Sequence, residues 1–254
     1  MDGYCFNHYP TMSNTNTTPK KVAMIVANAA ISEQTGWPIG FWWAELAHPY
    51  WEFKENGFEV ELFSPEGGAV EADGFSDPEH ESGYSADDYL SLGFKKSPKH
   101  FGLTQETHKL ADLNPENFDA IFVTGGQSPM YTFVNNEPLQ QTFAQFYEQG
   151  KIASAICHGT CILLNTRLSN GELLVKNKTW TGFANCEEDY ADQAVGTKIQ
   201  PFRIEDRANE IPDTTFKVGQ PFEAYALRDG NLITGQQQHS GTAAARLVVE
   251  ALNA

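Results

Sequence analysis

Short, almost wholly apolar runs recur along this chain, each followed by a stretch with helical spacing, and this pattern most constrains its fold. "KKVAMIVANA" (20–29) is β-branched and apolar, as a buried first strand requires. "GFWWAELAHPYWEFKENG" (40–57) places its apolar residues at helical intervals, with Pro49 predicting a kink or a late start and Gly57 a C-terminal stop. "FEVELFSPEGG" (58–68) alternates and then breaks, as a second strand does. Strand, helix, strand is the opening of a parallel sheet. The pattern resumes with a strand in "FDAIFVTGGQSP" (118–129), a helix over 137–150, and the strand "KIASAI". A strand and a helix beginning near Asn185 follow, then a hairpin turning at Asp229-Gly230 and a last helix over 240–254. The expectation is a doubly wound α/β fold. Its mostly parallel, flavodoxin-like sheet carries helices on both faces, a three-layer α/β/α sandwich.

Two stretches fall outside that pattern. Residues 1–19 are polar and Pro-containing, with no basic residue and no apolar core, and predict a flexible tail rather than a signal peptide. Residues 66–117 are acidic and rich in Gly, Ser and Asp, and predict an inserted cap with one or two short helices. The remainder, 20–254, is expected to be one domain carrying that insertion. A formal charge of −16 argues against nucleic acid and anionic membrane surfaces as partners. No apolar run approaches the roughly 18 residues of a membrane span. Of four cysteines, Cys5 lies in the tail and Cys157 and Cys161 are too close to staple a long loop, so reduced thiols and a cytoplasmic location are expected.

The chemistry gathers at "SAICHGTC" (154–161). A buried strand ends on Cys157, followed by His158, Gly159 and a predicted helix. Such a strand–nucleophile–helix turn lifts a reactive side chain above the sheet, where ligands of open α/β sheets bind. The helix N-terminus is expected to favour the thiolate, with about 0.5–2 kcal/mol available from the dipole. The alternative is a small buried hydrophobe. Cys161 reads as core, because thiols four residues apart on a helix are poorly placed for a bridge and no fourth metal ligand is evident. The strand end "TGGQ" offers Gly125, Gly126 and Gln127 as oxyanion donors or substrate neighbours. Glu45 stands in the aromatic run "FWWAELAHPYW", where burial raises a carboxyl pKa and fits it to proton transfer; an exposed helix face is its other reading. His48 and His239 read as satisfied histidines or pocket residues. Glu187, Glu188 and Asp189 read as charges at a helix start, one of which could orient His158.

Taken together, "AICHG" (155–159), "ELAHPYWEFKENGFEVELFSPEGG" (45–68), "DAIFVTGGQ" (119–127) and "TGFANCEE" (181–188) resemble the ThiJ/PfpI superfamily. The likeness is to its branch of glyoxalase III enzymes and heat-shock chaperones, and runs from about Lys20 to the C-terminus. It implies Cys157 as nucleophile, Glu45 as its carboxylic partner, His158 as base, Glu188 or its neighbour Glu187 as orienting acid, and Gly126 with the His158 N–H as oxyanion hole. It also implies a lyase-type conversion of methylglyoxal to lactate without glutathione, metal or other cofactor, and a homodimer. Two departures stand out. Gln127 and Ser128 follow the Gly-Gly pair where the family often has histidine, and "TGQQQHSG" replaces a late Asn-Pro.

Competing functions are separable. A holding chaperone, deglycase or redox sensor would expose Phe75, Tyr84, Tyr89 and Phe94 on the insertion, or oxidise Cys157 to a sulfinate beside Glu45. A cysteine hydrolase or isonitrile hydratase would share the nucleophile. A glutamine amidotransferase lacks its late His-x-Glu pair, and a dehydrogenase lacks Gly-x-Gly-x-x-Gly.

Overall fold

The computed structural model describes residues 18–254, so the expected tail lies, up to residue 17, outside the described residues. Strand β1 (Lys21–Ile25) leads into helix α1 (Trp43–Glu55) and strand β2 (Glu59–Ser64). The insertion supplies helices α2 (Tyr89–Lys96) and α3 (Pro98–Gln105) and a short strand β3 (His108–Lys109). Then come β4 (Ala120–Val123), α4 (Glu137–Glu148) and β5 (Ile152–Ile156). The last third adds α5 (Asn185–Val195), α6 (Ile204–Glu210), the strands β6 (Ala226–Asp229) and β7 (Leu232–Gly235), and α7 (Gly241–Asn253).

The main sheet has seven strands in the order β6-β7-β5-β4-β1-β2-β3. All neighbours pair parallel except the β6–β7 hairpin at one edge. Burial on both faces explains why β1 reads as continuous apolar sequence rather than alternation. Val22, Met24 and Val26 enter one core layer with Leu46 and Phe53 of α1 and Val248 of α7. Ala23, Ile25 and Ala27 enter the other with Leu139, Phe143 and Phe146 of α4. Each fully buried Phe or Leu contributes about 1.5–3 kcal/mol. The chain leaves β1 for β2 on one side and returns to β4 on the other, so a crevice opens above the carboxyl ends of β1 and β4.

Four expectations need correction. Helix α1 starts before Pro49 rather than after it and continues through it; Pro49 packs on Gly241, where an added Cβ would lie 3.1 Å from the ring. The stretch 66–117 is not wholly an excursion from the sheet, because β3 pairs parallel with β2 through Phe63 and Ser64. Phe94 is not exposed: it is fully buried among Trp43, Tyr50, Trp51 and His100, and so fastens the insertion to α1. The segment Cys157–Leu164 winds as a 3-10 helix, not an α-helix. The Thr160 hydroxyl donates to the Cys157 carbonyl at 2.6 Å and competes for the oxygen that would accept the first α-helical bond.

Candidate active site

The sheet delivers Cys157 to the crevice with strain in its backbone. Its φ is 54°, left-handed and unfavourable for a side chain with a Cβ. Two glycines make the turn possible by close approach. A Cβ on Gly159 would lie 2.4 Å from the Thr124 carbonyl oxygen. A Cβ on Gly125 would lie 2.5 Å from Glu45 Oε2 and 2.9 Å from the Cys157 Cβ.

Glu45 comes from the first turn of α1 and is fully buried. The Gly125 N–H donates to its Oε2 at 2.8 Å, Oε1 has no hydrogen-bond partner, and the carboxyl lies beside Cys157. Burial pushes the Glu45 pKa up to about 8, opposed by the Cys157 and Gly125 hydrogen bonds, so the group holds its proton at neutral pH. Burial is the largest cause raising the Cys157 thiol, and the part contributed by a Glu45 charge falls away where Glu45 holds its proton. Only the backbone N–H groups of His158 and Gly126 pull it down. The turn after Cys157 is 3-10 rather than α-helical, and burial opposes the thiolate that the backbone N–H groups of His158 and Gly126 favour. Glu45 thus brings a protonated carboxyl to Cys157 at neutral pH.

On the other side of the sulfur, His158 Nδ1 lies 3.6 Å from Cys157 Sγ. Its Nε2 meets Glu188 Oε1 at 3.1 Å, and its ring stacks on Phe183 with centroids 4.1 Å apart. With Glu188 as acceptor, the proton sits on Nε2 and the Nδ1 lone pair faces the sulfur. Glu187 does not reach His158. Its carboxylate accepts from the Ala184 and Phe222 N–H groups and from Gln236 Nε2.

The glycine-rich strand end divides its tasks differently from the expectation. The Gly125 N–H is engaged by Glu45 and the Gln127 N–H by Asp73 Oδ2 at 2.7 Å, so neither is free for an oxyanion. Gly126, at φ 103° against the backbone of Gly40 and Phe41, aims its N–H at the sulfur. Gln127 lines the cavity through its side chain, whose Oε1 has no partner. Asp73, absent from the sequence reading, is fully buried and also accepts the Gly40 N–H at 3.0 Å. Burial lifts its pKa to about 7. It sits in "EADGFSDP", whose Asp-Gly reads locally as a turn.

Neither His48 nor His239 lines the cavity. His48 Nε2 meets Asp88, the N-cap of α2, at 2.8 Å. Cys161 is core, its Sγ donating to the Pro129 carbonyl at 3.3 Å. Among the described residues, no group of three or more His, Cys, Asp or Glu is placed to hold a metal ion. No helix among them is long and apolar enough to cross a membrane. The cavity above Cys157 has a volume of about 150 Å³. Trp42, Phe75, Tyr84, Tyr190 and Phe222 line it with aromatic surface.

A sulfur nucleophile, a protonated carboxyl, an oriented imidazole and two inward N–H groups can add to a carbonyl and move protons on the adduct. Comparison with known proteins bears on this arrangement. The model of the DJ-1/PfpI family matches residues 40–251. A probable glutathione-independent glyoxalase of Schizosaccharomyces pombe is 27% identical over 84% of this chain and 90% of its own length. Glyoxalase 3 of Candida albicans is 27% identical over 85% of this chain and 91% of its own. The rapid encystment protein of Francisella tularensis superposes with a TM-score of 0.81 at 25% identity, covering 92% of this chain and 99% of that one. The crystal structure of glyoxalase III from Candida albicans gives a TM-score of 0.75 at 24% identity, covering 91% and 97%.

Proposed function

This chain belongs to the DJ-1/PfpI family, and from that premise we propose that it is a glutathione-independent glyoxalase of the glyoxalase III type. It takes up methylglyoxal or a related α-oxoaldehyde and water, and releases the 2-hydroxy acid. The observation that carries the reading is the fully buried Glu45 carboxyl, held by the Gly125 N–H at 2.8 Å beside Cys157 at the strand end. The glyoxalase names of relatives spanning most of the chain support it.

Cys157 Sγ bonds to the aldehyde carbon as His158 Nδ1 takes the thiol proton and Glu45 gives its own proton to the aldehyde oxygen, leaving a hemithioacetal and a Glu45 carboxylate. The Gly126 and His158 N–H groups stabilise the oxygen as charge builds on it. That carboxylate takes the proton from the former aldehyde carbon and returns it to the adjacent carbonyl carbon, while the hemithioacetal hydroxyl proton goes back to Glu45 and the His158 proton to the new alkoxide oxygen. The first carbon is thereby oxidised to a thioester and the second reduced to an alcohol. Water, deprotonated by His158, cleaves the thioester and restores the thiol. Glu188 and Phe183 hold the imidazole in line throughout.

The test is methylglyoxal loss and lactate gain with purified protein, without glutathione, beside Cys157→Ala and Glu45→Gln. Turnover in the native chain that both substitutions abolish supports the reading. Absence of native turnover sinks it.

A further inference from the structure

The cavity is built for more than a three-carbon dicarbonyl. Helix α5 presents Glu188 to His158, and the same helical face continues through Ala191 and Ala194 to Val195. At about 1.5 Å rise per residue, that face runs roughly 10 Å outward from the imidazole partner. Methylglyoxal held at Cys157 covers only the beginning of it. Both small residues lie where a larger side chain would fill the space: Ala191 is half-buried and Ala194 lies exposed at the mouth.

The cavity lining is rich in aromatic side chains. Trp42 and Tyr84 meet edge to face at 6.0 Å and 90°, and Tyr190 and Phe222 at 5.1 Å and 69°. Such a lining favours a flat apolar ring packed against it. Three of the chain's exposed large apolar side chains, Phe75, Tyr84 and Tyr190, line this one mouth, and a ligand there would cover them. No lysine or arginine lines the cavity, so nothing there would recognise a phosphate or carboxylate tail. Gln127 and Gln200 each bring a buried amide oxygen without a partner, a neutral polar element.

We propose that the preferred substrate is an α-oxoaldehyde bearing an aromatic group, and that Ala191 makes room for it. This rests on the glyoxalase reading. The chemistry at Cys157 is unchanged, with water the only co-reactant, so phenylglyoxal would yield mandelate as methylglyoxal yields lactate.

The experiment compares kcat/KM for phenylglyoxal and methylglyoxal in the native chain and in Ala191→Leu. The expected result is a ~10–100-fold preference for phenylglyoxal, the scale of apolar pocket discrimination. Ala191→Leu should lower the ratio of phenylglyoxal to methylglyoxal turnover by most of that factor. No preference in the native chain, or a ratio untouched by Ala191→Leu, overturns the proposal. Tryptophan fluorescence titrations with mandelate and lactate separate the two ideas if neither dicarbonyl turns over. Mandelate binding that Ala191→Leu weakens would keep the aromatic subsite and sink the glyoxalase; equal or absent binding would sink both.

Discussion

The backbone N–H of Gly125 donates to Glu45 Oε2 at 2.8 Å, in a space where no side chain fits. That bond ties the end of one sheet strand to the first turn of a helix 80 residues earlier in the chain. It fixes the carboxyl against Cys157, and the site's chemistry depends on it.

Gly125→Ala is therefore expected to separate the pair. The new Cβ would lie 2.5 Å from Glu45 Oε2 and 2.9 Å from the Cys157 Cβ, so one of them must move. A displacement of about 1 Å costs on the order of 10²-fold in kcat. Overpacking costs a further ~1–3 kcal/mol of stability. Steady-state kinetics beside a denaturant titration checks both. Native-like kcat would refute this dependence.

Glu45 gives a stability signature with a definite sign. Its folded pKa of about 8 stands above the ordinary 4.5, so the folded state keeps a proton that the unfolded chain releases. The native chain should lose stability as pH rises from about 4.5 to about 8, at up to ~1.4 kcal/mol per pH unit from this group. Glu45→Gln carries no titrating group there and removes that slope. Its unfolding free energy should gain on the native chain's with rising pH, level off above about 8, and show no such gain below about 4.5. Parallel slopes for the two proteins would refute the assignment.

The two adjacent glutamates are expected to fail differently. Glu188→Gln disturbs only the His158 contact at 3.1 Å, so kcat should drop ~10–100-fold with little change in melting temperature. Glu187→Ala strands the Ala184 and Phe222 N–H groups and the Gln236 amide, and should cost ~2–4 kcal/mol of stability. Thermal melts and kinetics on both variants decide; a reversed pattern would exchange their roles.

Asp73 is a positioning residue, touching the Gly40 and Gln127 N–H groups rather than the sulfur. Asp73→Asn keeps the shape but leaves one of those N–H groups facing an amide nitrogen. The expected outcome is a ~10-fold loss in kcat, the folded state retained, and partial recovery in Asp73→Glu but none in Asp73→Ala. Equal losses in all three would mean that the carboxylate does not hold the turn.

Much of the fold was legible in local sequence. The apolar run at 21–25, the helix through Glu45 and the stop at Ile156 each announce themselves by periodicity within a dozen residues. The sharp turn at Cys157 was legible because a strand, a cysteine, a histidine and a glycine in succession describe one turn. Phe94 was not, since its burial depends on α1 arriving from 40 residues away in sequence. Nor was the engagement of the Gly125 and Gln127 N–H groups, because their acceptors, Glu45 and Asp73, come from other elements.

The sequence by itself determined the sheet, its parallel sense and the cysteine at the end of β5, because the period of buried residues is a local property. Tertiary structure alone decided which of two adjacent glutamates meets His158, since neighbours on a helix point about 100° apart and only the packing of α5 selects one. It also decided that the Glu45 carboxyl keeps its proton at neutral pH. Proton affinity there follows from desolvation by the whole surrounding fold.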